Sequence, residues 1–349
     1  MKKIKFVGVS LLASVLLSGP LAMSTASFVN VSPIIVQAQE EGLTVRVGYG
    51  APHGNQSFGT AVVVLNGETI VDVQLDEFQF VEGDQWVGVP NSDEGFGENY
   101  PEGYNLASKR LNSDAYSEMM TEHAGATVTY NDNLDALQDF AIGKTLAELE
   151  ESIAELTALG EDGNVSDVVS GATLVDSSGY LQLVVDTANN GFEFAIANAE
   201  NAEIKQTLAA PHGTRSFAIA TAVVDGDTVL SGSIDEFQFV EGEDWTGVPN
   251  SDGKFGENYP EGTVLVSKLM DSEGYSAMMT ENAGSTISYI DNMAAISEFV
   301  SGKTIAELEE AVAELEGLGE EGNVADVVSG ATLVDAGGYI QAIIDAAQQ

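Results

Sequence analysis

β-Branched and apolar positions dominate the segment 57–75 and predict a pair of β-strands. Asn66-Gly67 divides the segment into runs 57–65 and 68–75. An Asn-Gly pair between such runs is a strong signal for a β-hairpin, in which both turn residues adopt a positive φ. A third strand is predicted over residues 77–81. We therefore expect a small antiparallel sheet.

Further along the chain the apolar spacing becomes helical. Short helices are predicted over residues 113–120 and 133–142. Thr145-Leu-Ala-Glu148 has the form of a capping box, which predicts a longer helix with one apolar face. That face carries Leu146, Leu149, Ile153 and Leu156. A closing helix is expected after Thr173, with Leu174, Leu181 and Val184 or Val185 turned inward.

The segment 82–104 is rich in Gly, Asn and Pro and predicts a long loop. A loop of this length in a compact domain is usually functional or mobile. Asn91-Ser-Asp93 and Asn250-Ser-Asp252 resemble half of a calcium-binding loop, but the full spacing with a downstream Glu is not met. We interpret them as acidic surface loops, near the edge of any bound cofactor.

Most of this pattern occurs twice, at a constant spacing of 159 residues. A solenoid would need many short repeats, so two long copies indicate tandem domains. We predict an α+β fold of two domains, residues 41–190 and 204–349, each a small antiparallel sheet with packed helices, joined by a linker over 191–203. The recurring segments include Asp76–Phe80 and Asp235–Phe239, Gly88–Asp93 and Gly247–Asp252, and Asp167–Asp176 and Asp326–Asp335.

Charge and composition narrow the class of function. With 12 Lys and Arg against 55 Asp and Glu, the formal net charge is −43. Such a chain offers no cationic surface to nucleic acid phosphates, and self-repulsion favours a monomer. The absence of Cys excludes disulfides, thiol nucleophiles, Fe–S clusters and a lipoprotein anchor. Any redox chemistry would therefore need an organic cofactor.

The first residues have the layout of a secretory signal peptide. Lys2, Lys3 and Lys5 precede an apolar run over 6–17, and a cleavage site follows by about residue 38. The run is short for a membrane span, although a retained membrane anchor stays an alternative. We predict a signal peptide over residues 1–38 and a secreted or cell-surface protein.

One motif carries the chemistry in both copies. Asp167-x-x-Ser170-Gly171-Ala172-Thr173 and Asp326-x-x-Ser329-Gly330-Ala331-Thr332 resemble the flavinylation motif of the FMN-binding domain family. That family includes the flavin-carrying subunits of the Na⁺-pumping NADH:quinone reductase and of the Rnf complexes. It also includes tandem-domain flavoproteins of extracellular electron transfer in Gram-positive bacteria, which share the layout seen here.

The resemblance implies a cofactor, its attachment and a set of partners. An FAD:protein FMN transferase would attach two FMN groups as phosphoesters, one to Thr173 and one to Thr332. The chain would then carry electrons from a membrane quinol-linked donor to an extracellular acceptor such as ferric iron. Exported relatives are commonly lipid-anchored through a Cys, which this chain lacks.

The residues of the motif suit this chemistry. Gly and Ala beside the hydroxyl would let a large transferase and the FMN phosphate come close. A helix that begins at the Thr would offer free N–H groups to the phosphate. The alternative is that the motif is only a turn and a helix cap, since Ser, Thr and Gly favour both.

Other duplicated residues are candidate cofactor contacts. Trp86 and Trp245 are flavin neighbours or core aromatics. Lys109 and Lys268 are candidate partners of the FMN phosphate. His53 and His212, each without a second His nearby in the sequence, fit a turn or rim better than a zinc site. Two other functions stay open: an extracellular flavin-dependent reductase of a small molecule, and a non-redox acidic cell-surface binding protein.

Overall fold

Two antiparallel sheets organise the described part of the chain, as expected for an α+β fold. The computed structural model describes residues 42–98, 100–160, 163–242, 244–319 and 322–349. The predicted signal peptide lies outside these residues. Glu41–Gln349 forms one compact unit, in which we call residues 42–194 the first half and residues 203–349 the second half.

The two sheets have five strands each. Sheet A has the order β4-β3-β2-β1-β5, and sheet B has the order β10-β8-β7-β6, with β9 also paired to β8. The strands of sheet A are β1 (Leu43–Gly50), β2 (Ser57–Asn66), β3 (Thr69–Glu82), β4 (Tyr104–Ser108) and β5 (Phe192–Phe194). Those of sheet B are β6 (Glu203–Ala209), β7 (Ser216–Asp225), β8 (Thr228–Glu241), β9 (Thr263–Ser267) and β10 (Lys303–Thr304).

Four helices follow the same order in each half. The first half contains α1 (Ser113–Ala124), α2 (Tyr130–Ala141), α3 (Leu146–Leu159) and α4 (Ser177–Asn190). The second half contains α5 (Ser272–Ala283), α6 (Tyr289–Val300), α7 (Ile305–Gly317) and α8 (Ala336–Ala347). Within the described ranges, no helix is both long and apolar enough to cross a membrane.

The hairpin occurs where the sequence predicts it, with two corrections. Asn66 pairs with Thr69 as the last residue of β2, so the two turn residues are Gly67 and Glu68. Only Gly67, at φ 62°, has a positive φ, so the expectation that both turn residues need one is wrong. The predicted third strand over 77–81 is the second part of β3, because no turn residue interrupts this 14-residue strand.

The predicted capping box is confirmed. The Glu148 side chain accepts from the Thr145 amide at 2.8 Å, and Thr145 Oγ1 accepts from the Glu148 amide at 3.3 Å. Leu149 and Leu156 of the predicted apolar face are buried. Thr304 and Glu307 form the same pair of bonds at the start of α7. Local side-chain chemistry therefore fixes the same helix start in both halves.

The two halves share a buried aromatic cluster. Its Phe–Phe contacts are reciprocal, because each Phe–Phe pair between the halves has a counterpart in which the halves exchange roles, as at an approximate two-fold axis. The segment predicted as a linker, 191–203, also connects the halves. Its strand β5 pairs with β1 of the first half, and its Ala197 amide donates to Leu230 O of the second half at 2.8 Å. The ring-centroid distances are 5.6 Å for Phe58–Phe237, 5.9 Å for Phe78–Phe217, 5.3 Å for Phe80–Phe255 and 5.1 Å for Phe96–Phe239.

The loop over 82–104 also contacts the other half. Asn91 Nδ2 donates to Gly213 O at 2.9 Å and to Ser216 O at 2.7 Å. Asn250 makes the counterpart bonds in the second-half loop, at 3.0 and 2.6 Å. Both asparagines have a positive φ, 65° for Asn91 and 67° for Asn250. Asp93 and Asp252 are exposed, as expected for acidic surface loops, while Asn91 and Asn250 of the same loops join the two halves.

Substitutions of Asn91 should separate its two contributions to stability. Asn91→Gly keeps the positive φ but loses two hydrogen bonds, so we expect a loss of about 1–3 kcal/mol in the free energy of unfolding. Asn91→Ala should lose roughly 1–2 kcal/mol more, because an L side chain is unfavourable in this conformation. Urea unfolding measures both. Equal stability of the two variants would contradict this account of Asn91.

Candidate functional site

The duplicated motif forms a tight, irregular turn. Val165–Asp167 is a single turn of 3₁₀-helix, and Gly171 follows with φ 93°. Gly330 has φ 90° at the equivalent point. Glycine is required there by the backbone conformation, because L residues rarely adopt it. Ala172 is fully buried, whereas Asp167 and Ser170 are exposed.

Thr173 is exposed, and a buried asparagine holds its backbone. Asn133 Oδ1 accepts from the Thr173 amide at 2.6 Å and from the Leu174 amide at 3.1 Å. The Thr173 hydroxyl lies 3.2 Å from the same oxygen. The second half repeats this, with Thr332 exposed and its amide 2.7 Å from Asn292 Oδ1. The motif therefore places an exposed threonine on a backbone that a buried asparagine holds in position.

Asn133 is itself held in place. It is completely buried on α2, and its Nδ2 donates to Thr129 O at 2.8 Å. Asn292 on α6 makes the equivalent bond to Ser288 O at 2.8 Å. Neither asparagine is among the site residues predicted from the sequence. The available signal was a polar residue repeated at the same position on the inward face of a predicted helix.

The closing helix does not begin at the threonine. α4 begins at Ser177, four residues after Thr173. Its N-cap is Asp176, and that of α8 is Asp335, neither with a side-chain cap bond. Because Asn133 already accepts from the Thr173 and Leu174 amides, the expected anion site formed by a helix start at the hydroxyl is not found.

A cleft of about 350 Å³ opens beside Thr173. This volume lies within the range of about 300–1,000 Å³ that is usual for small-molecule sites. Aromatic and apolar side chains form much of its lining, and His53 is the single basic side chain among the residues that line it. Its lining includes Tyr116, Met120, Tyr130, Thr173, Asp176 and Tyr180.

Behind the cleft lies a buried carboxylate with several donors. Lys109 Nζ is 2.9 Å from Glu77 Oε2, and both side chains are almost fully buried. The hydroxyls of Ser57, Tyr130 and Tyr180 also donate to Glu77. Burial raises the pKa of Glu77, but the Lys109 charge and the hydroxyls of Ser57 and Tyr180 outweigh it and hold the pKa below its ordinary value.

The second half has a similar arrangement. Lys268 Nζ lies 2.7 Å from Glu236 Oε2, and Tyr339 donates to the same oxygen at 2.8 Å. The Tyr289 hydroxyl, the counterpart of Tyr130, is buried without a hydrogen-bond partner among the described residues. Lys109 and Lys268 thus have buried carboxylates as partners, not the phosphate that the sequence analysis considered.

The remaining sequence candidates lie around this network. Trp86 is buried, donates from Nε1 to Glu82 O at 3.0 Å, and packs with its ring centroid 6.4 Å from that of Tyr116. It is not among the residues that line the cleft. Trp245 donates to Glu241 O at 3.1 Å in the same way. The contacts of Trp86 are those of a core aromatic behind the cleft wall.

His53 occupies the rim of the cleft, as its sequence context predicts. Its Nδ1 lies 3.4 Å from Lys109 Nζ, and its Nε2 lies 3.6 Å from Asp176 Oδ2. His212 lies 3.5 Å from Asp335 Oδ2 in the second half. In the ranges that the structure describes, no group of three or more His, Asp or Glu side chains is arranged to hold a metal ion.

Asp76 and Glu77 serve different sites, as expected for neighbours on a strand. Asp76 Oδ2 accepts from Ser108 Oγ at 2.5 Å, away from the Glu77 network. Its counterpart Asp235 accepts from Ser267 Oγ at 2.5 Å and from the Tyr49 hydroxyl at 2.6 Å. Burial raises the pKa of Asp235 to about 6, although these hydroxyls oppose the shift.

Comparisons with known proteins identify no relative of the chain. No protein-family model matches the chain, and no curated protein or solved structure matches it either. The arguments for function therefore depend on the motif and on the geometry around it.

Removing Asn133 should loosen the first motif only. In Asn133→Ala the amides of Thr173 and Leu174 lose their acceptor, so hydrogen exchange in the peptide around 168–176 should become faster. We expect a stability loss of about 1–3 kcal/mol, because two amides are left without their partner. The peptide around 327–335 is the internal control and should be unchanged, while Asn292→Ala should reverse the pattern. Exchange that rises equally in both peptides would contradict a local role.

Asp235 should make stability depend on pH in the acidic range. Its folded pKa is raised from 3.8 to about 6, so the folded state binds more protons between these values. Its contribution is fully present below the unfolded pKa and is lost as the pH rises through the folded one. The loss should be roughly 3 kcal/mol. Asp235→Asn should lack this decline, so urea unfolding from pH 4 to 7 should favour the variant progressively; parallel profiles would contradict the assignment.

Proposed function

We propose that the chain is an exported electron carrier with FMN attached as phosphoesters to Thr173 and Thr332. The observation that carries the proposal is the setting of Thr173. Thr173 is exposed, its backbone is fixed by Asn133, and it lines a cleft of about 350 Å³ with aromatic lining. A turn or cap alone does not require an exposed threonine beside such a cleft.

The residues fit the flavin ring better than the phosphate. Tyr116, Tyr130 and Met120 offer faces and a thioether of the kind that pack against aromatic rings. His53 is the one basic residue in the lining, and it is therefore the lining residue best suited to contact the FMN phosphate. The buried Lys109 would not touch the cofactor. It would act indirectly, through its ion pair with Glu77 and its contact with the ring of Tyr116, which lines the cleft.

When bound, FMN would supply reversible electron transfer, and the protein would supply attachment, orientation and exclusion of water. The Glu77–Lys109 pair would hold Tyr130 and Tyr180 rigid beneath the cleft. Thr332 with Asn292, Glu236 and Lys268 would do the same in the second half, which makes the two halves two FMN-binding domains under this proposal.

The partners follow from the same proposal. An FAD:protein FMN transferase would load both threonines, and a membrane quinol-linked donor would reduce the protein. The net charge of −43 would attract cationic or metal acceptors such as ferric iron. Such attraction falls with ionic strength, because salt screens exposed charges.

Peptide mass mapping of protein matured with the transferase tests the attachment. We expect one FMN adduct on each motif peptide, the loss of one adduct in Thr173→Ala or Thr332→Ala, and the loss of both in the double variant. Thr173→Ser should keep some labelling, since it retains a hydroxyl.

Thr127 provides the matched control. It is exposed and lines the same cleft outside the motif, so Thr127→Ala should keep both adducts. Colourless protein with the mass of the bare chain, produced where the transferase labels another substrate, would contradict the proposal.

A further inference from the structure

The first strands of the two halves differ at many equivalent positions, and one of these differences changes a site between the halves. Tyr49 on β1 lies opposite Thr60, and Leu208 on β6 lies opposite Ile219, in the same register of the strand pair. A tyrosine in the first half thus corresponds to a leucine in the second. Each of these side chains faces the buried aspartate of the opposite half.

In one of the two sites, the tyrosine is the occupant. The Tyr49 hydroxyl donates to Asp235 Oδ2 at 2.6 Å, and its ring meets Phe237 edge-on at 5.9 Å. Beside Asp235 the remaining free space is about 10 Å³, whereas the cleft of about 250 Å³ that Tyr49 also borders does not include Asp235 in its lining. This site is therefore filled by a phenol that belongs to the chain.

In the other site, the shorter Leu208 leaves a cleft of about 560 Å³. Asp76 and Phe78, the counterparts of Asp235 and Phe237, both line it. Asp76 is 9% exposed, and its Oδ2 accepts one hydroxyl, from Ser108, where Asp235 Oδ2 accepts two. A carboxylate oxygen has acceptor capacity for a second donor. The cleft thus offers an aromatic face beside a buried acceptor with capacity to spare.

We propose that this cleft binds a free small phenol, with its ring against Phe78 and its hydroxyl donated to Asp76. The ligand would take the place that Tyr49 takes in the equivalent site. Edge-to-face packing on Phe78 and a hydroxyl donated to a charged acceptor are both favourable. A neutral ligand also avoids repulsion from a chain of net charge −43. The cleft shares no lining residue with the cleft beside Thr173, so this proposal is independent of flavin binding.

Calorimetric titration of the full chain without flavin provides the first test. We expect one saturable site for p-cresol, which reproduces the tyrosine side chain. Toluene has the same ring and methyl group without the hydroxyl, and should bind at least about ten-fold more weakly. Equal affinity for toluene, or no saturable binding of p-cresol, would overturn the proposal. Tighter binding of N-acetyl-tyrosinamide than of p-cresol would overturn the assignment to a free phenol and indicate a peptide tyrosine.

Two variants test the location. Leu208→Tyr should fill the cleft from within, raise Tm and abolish p-cresol binding. Tyr49→Ala should open the equivalent cleft at Asp235 and raise the number of p-cresol sites from one to two. A folded Leu208→Tyr protein with unchanged p-cresol affinity would place the ligand elsewhere and overturn the proposal. The comparison of p-cresol with toluene stands even if a variant does not fold.

Discussion

Each half of the molecule depends on one buried ion pair, between a glutamate on a strand and the lysine that follows the neighbouring strand. Lys109 and Glu77 lie almost fully buried at 2.9 Å, and the Lys109 amide also donates to Glu77 O. Desolvation makes such a pair costly, and removing one partner alone leaves an uncompensated buried charge worth about 3–5 kcal/mol. The pair is stable here because Ser57, Tyr130 and Tyr180 supply further hydrogen bonds to the carboxylate. The tyrosines that line the cleft are thus fixed by a charge beneath them.

Both halves keep this ion pair, but they differ at two tyrosine positions near it or between the halves. Tyr130 bonds Glu77, whereas its counterpart Tyr289 is left without a partner. Tyr49 closes one site between the halves, whereas Leu208 leaves the other open. The Phe–Phe contacts between the halves remain reciprocal, although the two sequences differ at many positions, including every position of β6. Packing thus constrains the shared Phe cluster more tightly than the residues around these two sites.

The parts of the fold that the sequence predicts are those determined by near neighbours. The capping box at Thr145 and the turn at Gly67 depend on residues within three positions. β1 is missed because its burial comes from pairing with β2 and β5, which lie far along the chain. Asn133 is missed for the same reason, since its acceptor role joins segments 40 residues apart. The sequence motif identifies the threonines, because their neighbours are adjacent in the chain. It does not identify the asparagines that position them, because those contacts form only in the folded structure.

The distribution of charge ties the fold to the proposed attachment. Lys109 and Lys268, two of the few basic residues in the chain, are used inside the halves to neutralise buried glutamates. The other charged residues of the chain are mostly acidic. The lining of the cleft beside Thr173 includes one of them, Asp176. A phosphate held there only by charge would be repelled, since like charges in a partly desolvated cleft are unfavourable. A covalent ester removes that requirement. Under the proposed function, covalent attachment therefore compensates for a fold that places these two lysines in its core.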